Sequence, residues 1–297
     1  MRQEHVSMNN SMKAAYGLIH APRLGRRLRG ALVYAIVVAG AAVMITPLVY
    51  MLSTSLLPHA DVFATPPQLI PQHPTFANYI AAWQENDLGH AFLNSVIVAV
   101  CSTALNVLLS ASLAFAFARY QFPGRNLLFY IILVTMTVPA LVLIIPQFVL
   151  AAHLHLTNSL LGLILIYAAG MGFNVFLLRS YFQNMPQELF DAAALDGCGV
   201  FRAFWSIALP LARPALAAAS IFSFEGNWDE FTMALTLNNN QSLFTLPVAI
   251  QQFFSNNSTD WGVVFAATTI AMIPIFIIFI VFQREFVSGI AAGALKN

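Results

Sequence analysis

Three carboxylates, Glu225, Asp229 and Glu230, stand close together in an otherwise apolar stretch running from about Pro214 to Leu237. Glu225 and Asp229 are four residues apart, so on a helix they share a face with Phe222, Trp228 and Thr232. Intramembrane acids look into a bundle interior or a wet cavity, because lipid exposure costs several kcal/mol. Carboxylates accepting from hydroxyls, beside an indole that can cover a C–H face, suit an uncharged, hydroxyl-rich solute. The competing reading makes Asp229 and Glu230 markers of a membrane interface, or partners of another subunit. A second constellation lies earlier, between Asn184 and Pro210. Pro186 can open a helix there, Glu188 and Asp191 sit where the N-terminal dipole favours anions, and Gly197 can supply the positive φ that ends it. A short helix from about Val200 to Leu209 then carries Phe201, Phe204, Trp205 and Ala208 at helical spacing. That stripe either packs on the ends of the chain's own helices or docks another protein, and the residues leave both open.

Catalytic chemistry is not legible. Cys101 and Cys198 form no CxxC or Cys/His metal spacing, and His153 and His155 have no nearby carboxylate. The only lysines are Lys13 and Lys296, and no G-x-x-x-x-G-K-[ST] occurs, so the chain cannot cradle a nucleotide by that motif. No cofactor or metal is expected on it.

The elements that must position these groups follow from composition. Of 297 residues 8% are charged and 59% hydrophobic, with mean hydropathy +0.74, against roughly 25% charged in a soluble domain. A net charge of +1, with no basic block beyond the first 30 residues, excludes a nucleic-acid partner. A span needs about 20 apolar residues. Six are expected, near 31–53, 91–118, 127–150, 160–181, 213–236 and 261–283, with a turn at residues 153–159. The runs are continuously apolar rather than alternating, which points to an all-α polytopic helical bundle in a lipid bilayer. All thirteen Lys and Arg fall in segments on one side, and residues 58–90, 151–158 and 238–260 hold none. By the positive-inside bias both termini are cytoplasmic. The expected organisation is a basic N-terminal segment 1–30, a six-span region 31–284 interrupted by a cytoplasmic loop 183–212, and a cytoplasmic tail 285–297. Pro139 and Pro146 are expected to kink the third span, and Asn106, Asn174 and Gln147 to join helix to helix. Met44, Met136 and Met272 are expected in the core.

The loop carries a specific resemblance. Asp191-Ala192-Ala193, three residues, Gly197, nine residues, then Ile207-Ala208-Leu209-Pro210 resembles the EAA loop of ABC-importer permeases, E-A-A-x3-G-x9-I-x-L-P, with Asp in place of Glu. Asp196-Gly197, Trp228-Asp229-Glu230-Phe231 and the tail Gln283 to Ala294 look like the maltose-type carbohydrate branch of that family. The resemblance implies a permease subunit that imports a sugar or related solute by alternating access. It implies that Glu188, Asp191, Ala192, Ala193, Asp196, Gly197, Phe201, Ile207, Leu209 and Pro210 form a coupling element seated in a partner ATPase. It also implies a second permease subunit in a heterodimer, two ATP-binding subunits that handle ATP and Mg, and an extracytoplasmic solute-binding protein, all at an inner membrane. The solute pathway is expected at Phe222, Glu225, Trp228, Asp229 and Thr232. An ion-gradient-driven secondary transporter, with Glu225 or Asp229 relaying protons, is the rival reading, and it leaves the loop unexplained.

Overall fold

The computed structural model describes residues 23–62, 68–84, 87–254 and 260–294, and among these every regular element is helical. Residues 1–22 of the expected N-terminal segment and 295–297 of the expected tail lie outside the described residues. Three helices are long and apolar enough to cross a bilayer unaided: residues 30–55 of α1 (Arg23–Ser55), α3 (Leu88–Arg119), and residues 261–283 of α13 (Trp261–Ala294). Three helix pairs qualify only together, and with each taken as one span the total is six. They are α4 (Arg125–Thr135) with α5 (Ala140–His153), bent by 105°; α6 (Leu160–Ala169) with α7 (Gly172–Gln183), bent by 47°; and α9 (Val200–Leu211) with α10 (Arg213–Trp228), bent by 80°. Shorter helices join them: α2 (Ala77–Gln84), α8 (Gln187–Leu195), α11 (Thr232–Leu237) and α12 (Leu246–Gln252).

Each break has a local cause. Pro139 has no N–H to give and disfavours αR at Val138, so the third span does not bend gently but turns sharply between Met136 and Pro139. The fifth expected span stops at Trp228, and Glu230 restarts the chain by capping α11, its Oε1 and Oε2 accepting from the N–H groups of Met233 and Ala234 at 2.8 and 3.1 Å. At the other end of the sequence, α13 continues through Ala294, so most of the segment expected as a separate tail is helix.

The hub is α3, against which α6, α7 and α10 pack. Its buried positions are mostly small, Ala91, Ser95, Ala99, Ser102, Ser110, Ala111 and Ala114 among them, which lets backbones approach closely where lipid offers no hydrophobic drive. At one end of the bundle, here the loop end, Phe115 gathers the rings of Phe182, Phe190 and Phe204 at 5.6, 5.9 and 5.3 Å between centroids. At the far end, the turn after α5 is tied to the segment after α11: Asn158 N–H donates to Leu237 O, and Ser159 N–H to Asn238 Oδ1, both at 3.0 Å. Met44 and Met136 are exposed rather than in the core, 80% and 48% accessible; on such helices the apolar solvent is outside.

Candidate coupling loop and solute recess

The loop between α7 and α10 folds back on the end of α3 as two short helices. Arg119, the last residue of α3, donates to Met185 O at 2.7 Å and Gln187 Oε1 at 2.8 Å, and lies 4.3 Å over the Phe190 ring. Gln187 Nε2 donates onward to Asp191 Oδ1 at 3.0 Å. The start of α8 is thus tied to a long straight span. Glu188 lies in the first turn of α8 and is exposed, as are Asp191, Ala192 and Asp196, while Ala193 faces inward.

Gly197 has φ +75°, as its position after the helix anticipates. Its N–H donates to Ala194 O at 3.0 Å and the next, from Cys198, to Ala193 O at 2.8 Å, the paired bonds of a Schellman closure. The chain reverses there into α9, which contains a π-helical segment, Phe204–Ala208. Pro210 explains it: with no N–H and a ring that crowds Ser206 O, it forces a wider register, and the Leu209 N–H reaches back to Phe204 O. The expected aromatic stripe divides between the two readings left open. Phe204 and Ala208 are buried on Phe115, whereas Phe201 is 76% and Trp205 46% exposed. With Leu195 at 90% and Val200, they make an apolar knob at the loop end, with exposed Asp196 and Arg202 beside it. Ile207 and Leu209 are half-buried and Pro210 exposed.

A second feature lies within the bundle. A recess of about 210 Å³ opens among Asn106, Tyr167, Phe173, Asn174, Phe222 and Asn227. It sits at the break between α6 and α7, and Asn106 makes that break tolerable: its Nδ2 donates to Ala168 O at 3.1 Å and Gly170 O at 3.2 Å. Irregular backbone at membrane depth survives only when protein or a wet cavity satisfies it. Asn106 Oδ1 accepts from Asn174 Nδ2 at 2.7 Å, and Asn174 Nδ2 also donates to Ser223 Oγ at 2.7 Å. Asn227 Nδ2 donates to Ser102 Oγ at 2.8 Å. One atom of this network is left over: Asn174 Oδ1 is buried and accepts nothing. The Phe173 and Phe222 rings meet edge-on at 5.3 Å and line the same recess.

The structure disperses the expected pathway set. Phe222 lines the recess, Glu225 is exposed beside it in sequence, and Asp229 lines a separate hollow of about 350 Å³ with Gln251 and Thr268. Thr232 is exposed, on a different helix from Glu225. Trp228 is in the core, 2% exposed, stacked on Phe224 at 5.5 Å with its Nε1 donating to Ala271 O at 3.0 Å. Glu230 accepts from the Tyr167 hydroxyl at 2.5 Å besides capping α11. The recess amides were visible in sequence only as polar residues in apolar runs; the i, i+4 pair Ser223 and Asn227 was the available signal. Among the described residues no three His, Cys, Asp or Glu side chains gather as a metal site.

Known proteins match this architecture. The family model of the binding-protein-dependent transport system inner membrane component matches residues 106–291. The diacetylchitobiose uptake system permease protein NgcG of Streptomyces coelicolor is 34% identical over 282 residues, 94% of this chain and 93% of that protein. The sulfoquinovosyl glycerol transport system permease protein SmoH of Agrobacterium fabrum is 38% identical over 253 residues, 84% and 88% of the two chains. A crystal structure of a bacterial ABC transporter that imports the acidic polysaccharide alginate contains a chain of the same fold, with TM-score 0.79 and 23% identity, covering 88% of this chain and 97% of that one. The family match runs from within α3 through the loop and into the last helix, and the relatives cover most of the chain, so this chain belongs to the binding-protein-dependent transport system inner membrane components, as a membrane-spanning permease subunit of an ABC importer and not the subunit that hydrolyses ATP.

Proposed function

We propose that this permease subunit forms half of the path for an uncharged, hydroxyl-rich solute of the sugar class, with the recess between α6, α7 and α10 as its contact surface. The lining of that recess carries the reading. Amide and hydroxyl groups, two phenyl rings and a buried, unpaired Asn174 Oδ1 offer a hydroxyl donor somewhere to bind, and no charged residue is among the lining. Relatives whose names specify diacetylchitobiose and sulfoquinovosyl glycerol support the sugar class; because the second solute carries a sulfonate, the uncharged character rests on the recess lining alone. The exposed break between α4 and α5, with Val138, Leu141, Val142 and Ile145 all accessible, is backbone that lipid cannot satisfy; a second permease subunit covers it. That partner is a different chain. The resemblance of the loop and tail to the maltose-type branch supports a heterodimer. The knob of Leu195, Phe201 and Trp205 seats in one of two ATP-binding subunits, which bind ATP and Mg. A solute-binding protein docks at the far end.

The test is uptake by the reconstituted four-part complex with its binding protein. Phe222→Ala, which truncates a ring lining the recess, should lower uptake about tenfold, roughly 1.4 kcal/mol, at unchanged complex yield and unchanged stimulation of ATP hydrolysis by the binding protein. A loss that merely tracks lost complex would remove the recess from the path. Trp228→Ala serves as the contrast: truncating a buried aromatic costs about 3–5 kcal/mol, so it should lower complex yield.

The placement of the loop end in the cytoplasm is tested separately by thiol labelling. With Cys101 and Cys198 replaced, single cysteines at Gln72 and Asn239, both exposed at described positions, should react with an impermeant reagent in intact cells. Reaction only after permeabilisation would reverse the topology.

A further inference from the structure

The segment between α1 and α3 is expected from its charge pattern to be a loop in water, yet it contains a helix whose chemistry is that of a bilayer surface. We propose that α2 lies in the headgroup region of the leaflet at the far end of the bundle and holds the upper acyl chain of a zwitterionic phospholipid against α13. The proposal rests on the membrane placement of the spans and is independent of the solute.

One side of α2 is fastened to the protein. Asn78 Nδ2 donates to Ser55 O at 2.9 Å and Leu57 O at 2.8 Å, where α1 ends, and the Tyr79 hydroxyl bonds Ser55 Oγ at 2.7 Å. Trp83 rests on the first turn of α3. A Cβ built on Gly89 would come within 3.3 Å of the Trp83 ring, so the glycine is what lets the indole lie flat there. The opposite side is open. Phe76, Ile80 and Trp83 are 70%, 57% and 49% exposed, and with Tyr79 and Gln84 they wall a hollow of about 460 Å³ whose far wall is Ile270 of α13.

Two observations identify the occupant as lipid. The hollow is continuous with the apolar flank of α13, since Ile270, Ile273, Ile277 and Ile280 recur at helical spacing and the last three are exposed. Ile270 also lies nine positions into α13, about 13 Å along the axis from its first residue, a depth that belongs to the upper acyl region. Headgroup charge is excluded as the attraction because residues 58–90 hold no Lys or Arg; the aromatic rings supply the preference for the interface instead.

The whole complex is placed in nanodiscs of phosphatidylcholine brominated either near the ester or near the methyl end, and the Trp83 signal is taken as the difference between wild type and Trp83→Phe. Near-ester bromine should quench roughly half of that signal, methyl-end bromine less, and aqueous acrylamide little, as expected for a ring about 5–10 Å below the headgroups. Phe76→Trp in the Trp83→Phe background should show the same order, which guards against a local rearrangement in the first variant. Quenching by acrylamide and not by bromolipid would make α2 a water-exposed loop and overturn the proposal. Quenching by neither would place a protein partner in the hollow and overturn it equally. Uptake measured with the same variants in sealed liposomes keeps a failure here distinct from a failure of the solute reading.

Discussion

Gly197→Asp should abolish uptake while leaving the chain in the membrane at its usual level. At φ +75° a residue with a Cβ costs about 1–2 kcal/mol, and aspartate is among the side chains that tolerate that conformation best. Among the described residues nothing lies within 4 Å of the position a Cβ would take, so folding loses little. A carboxylate there enters the joint beside the apolar knob of Leu195, Val200 and Phe201, where an unpaired buried charge costs several kcal/mol, more than a hundredfold in affinity or coupling. Measured on purified complexes, the expected result is loss of the ATPase subunits or of hydrolysis stimulated by the binding protein. Gly197→Ala carries the backbone strain alone and should be far milder. Asp191→Ala should cost under about 1 kcal/mol, because its carboxylate is exposed and already engaged by Gln187. Wild-type uptake and coupling in Gly197→Asp would take the loop out of the energy path.

The second large effect is expected at Asn106, and it is one of stability. Asn106→Leu strands the carbonyls of Ala168 and Gly170 at the α6–α7 break, and removes the acceptor used by Asn174. A buried orphan such as Ala168 O costs about 1–3 kcal/mol. The complex should lose its thermal transition by roughly 10 °C or fail to accumulate. Ser110→Ala, which removes only a long 3.3 Å bond to the same Oδ1, should change the transition by a degree or two at most. A wild-type melting curve for Asn106→Leu would mean that the break is satisfied in some other way.

What sequence reveals here depends on the range of the interaction. The Schellman end at Gly197 is local, settled within six residues, and was legible. So was the turn before α6, where Ser159 caps the helix as its composition suggests. Continuous apolar runs marked where spans had to be, because lipid imposes that requirement on every residue. The breaks were less legible. Pro139 announced a kink but not a 105° turn, since the angle depends on what packs beside it. The gap at Gly170 had no proline to mark it; its compensation comes from Asn106, more than 60 residues away. Trp228 was misjudged for the same reason. Helical spacing puts it near Glu225, but rotation of α10 against α13 decides which flank is buried, and the indole went to Ala271. Glu230 looked like a charge in lipid and is a cap, a role visible only once α10 is known to stop two residues earlier.

The first helix raises a question of timing. Most of residues 30–52 is exposed, only Ser53, Thr54 and Ser55 at the end of the helix being buried, and the span this helix packs against is α13, the last in the sequence. At a synthesis rate of about 5–20 residues per second, the roughly 200 residues separating them take about 10–40 s to emerge. Throughout that interval the newborn first segment is held to its own chain at its last turn, where Asn78 and Tyr79 bond Ser55 and Leu57, while the rest of it waits in lipid or in the insertion machinery. The closing contact of the bundle is therefore a first-to-last handshake, and a chain that stops short of α13 leaves its opening segment without the span it packs against.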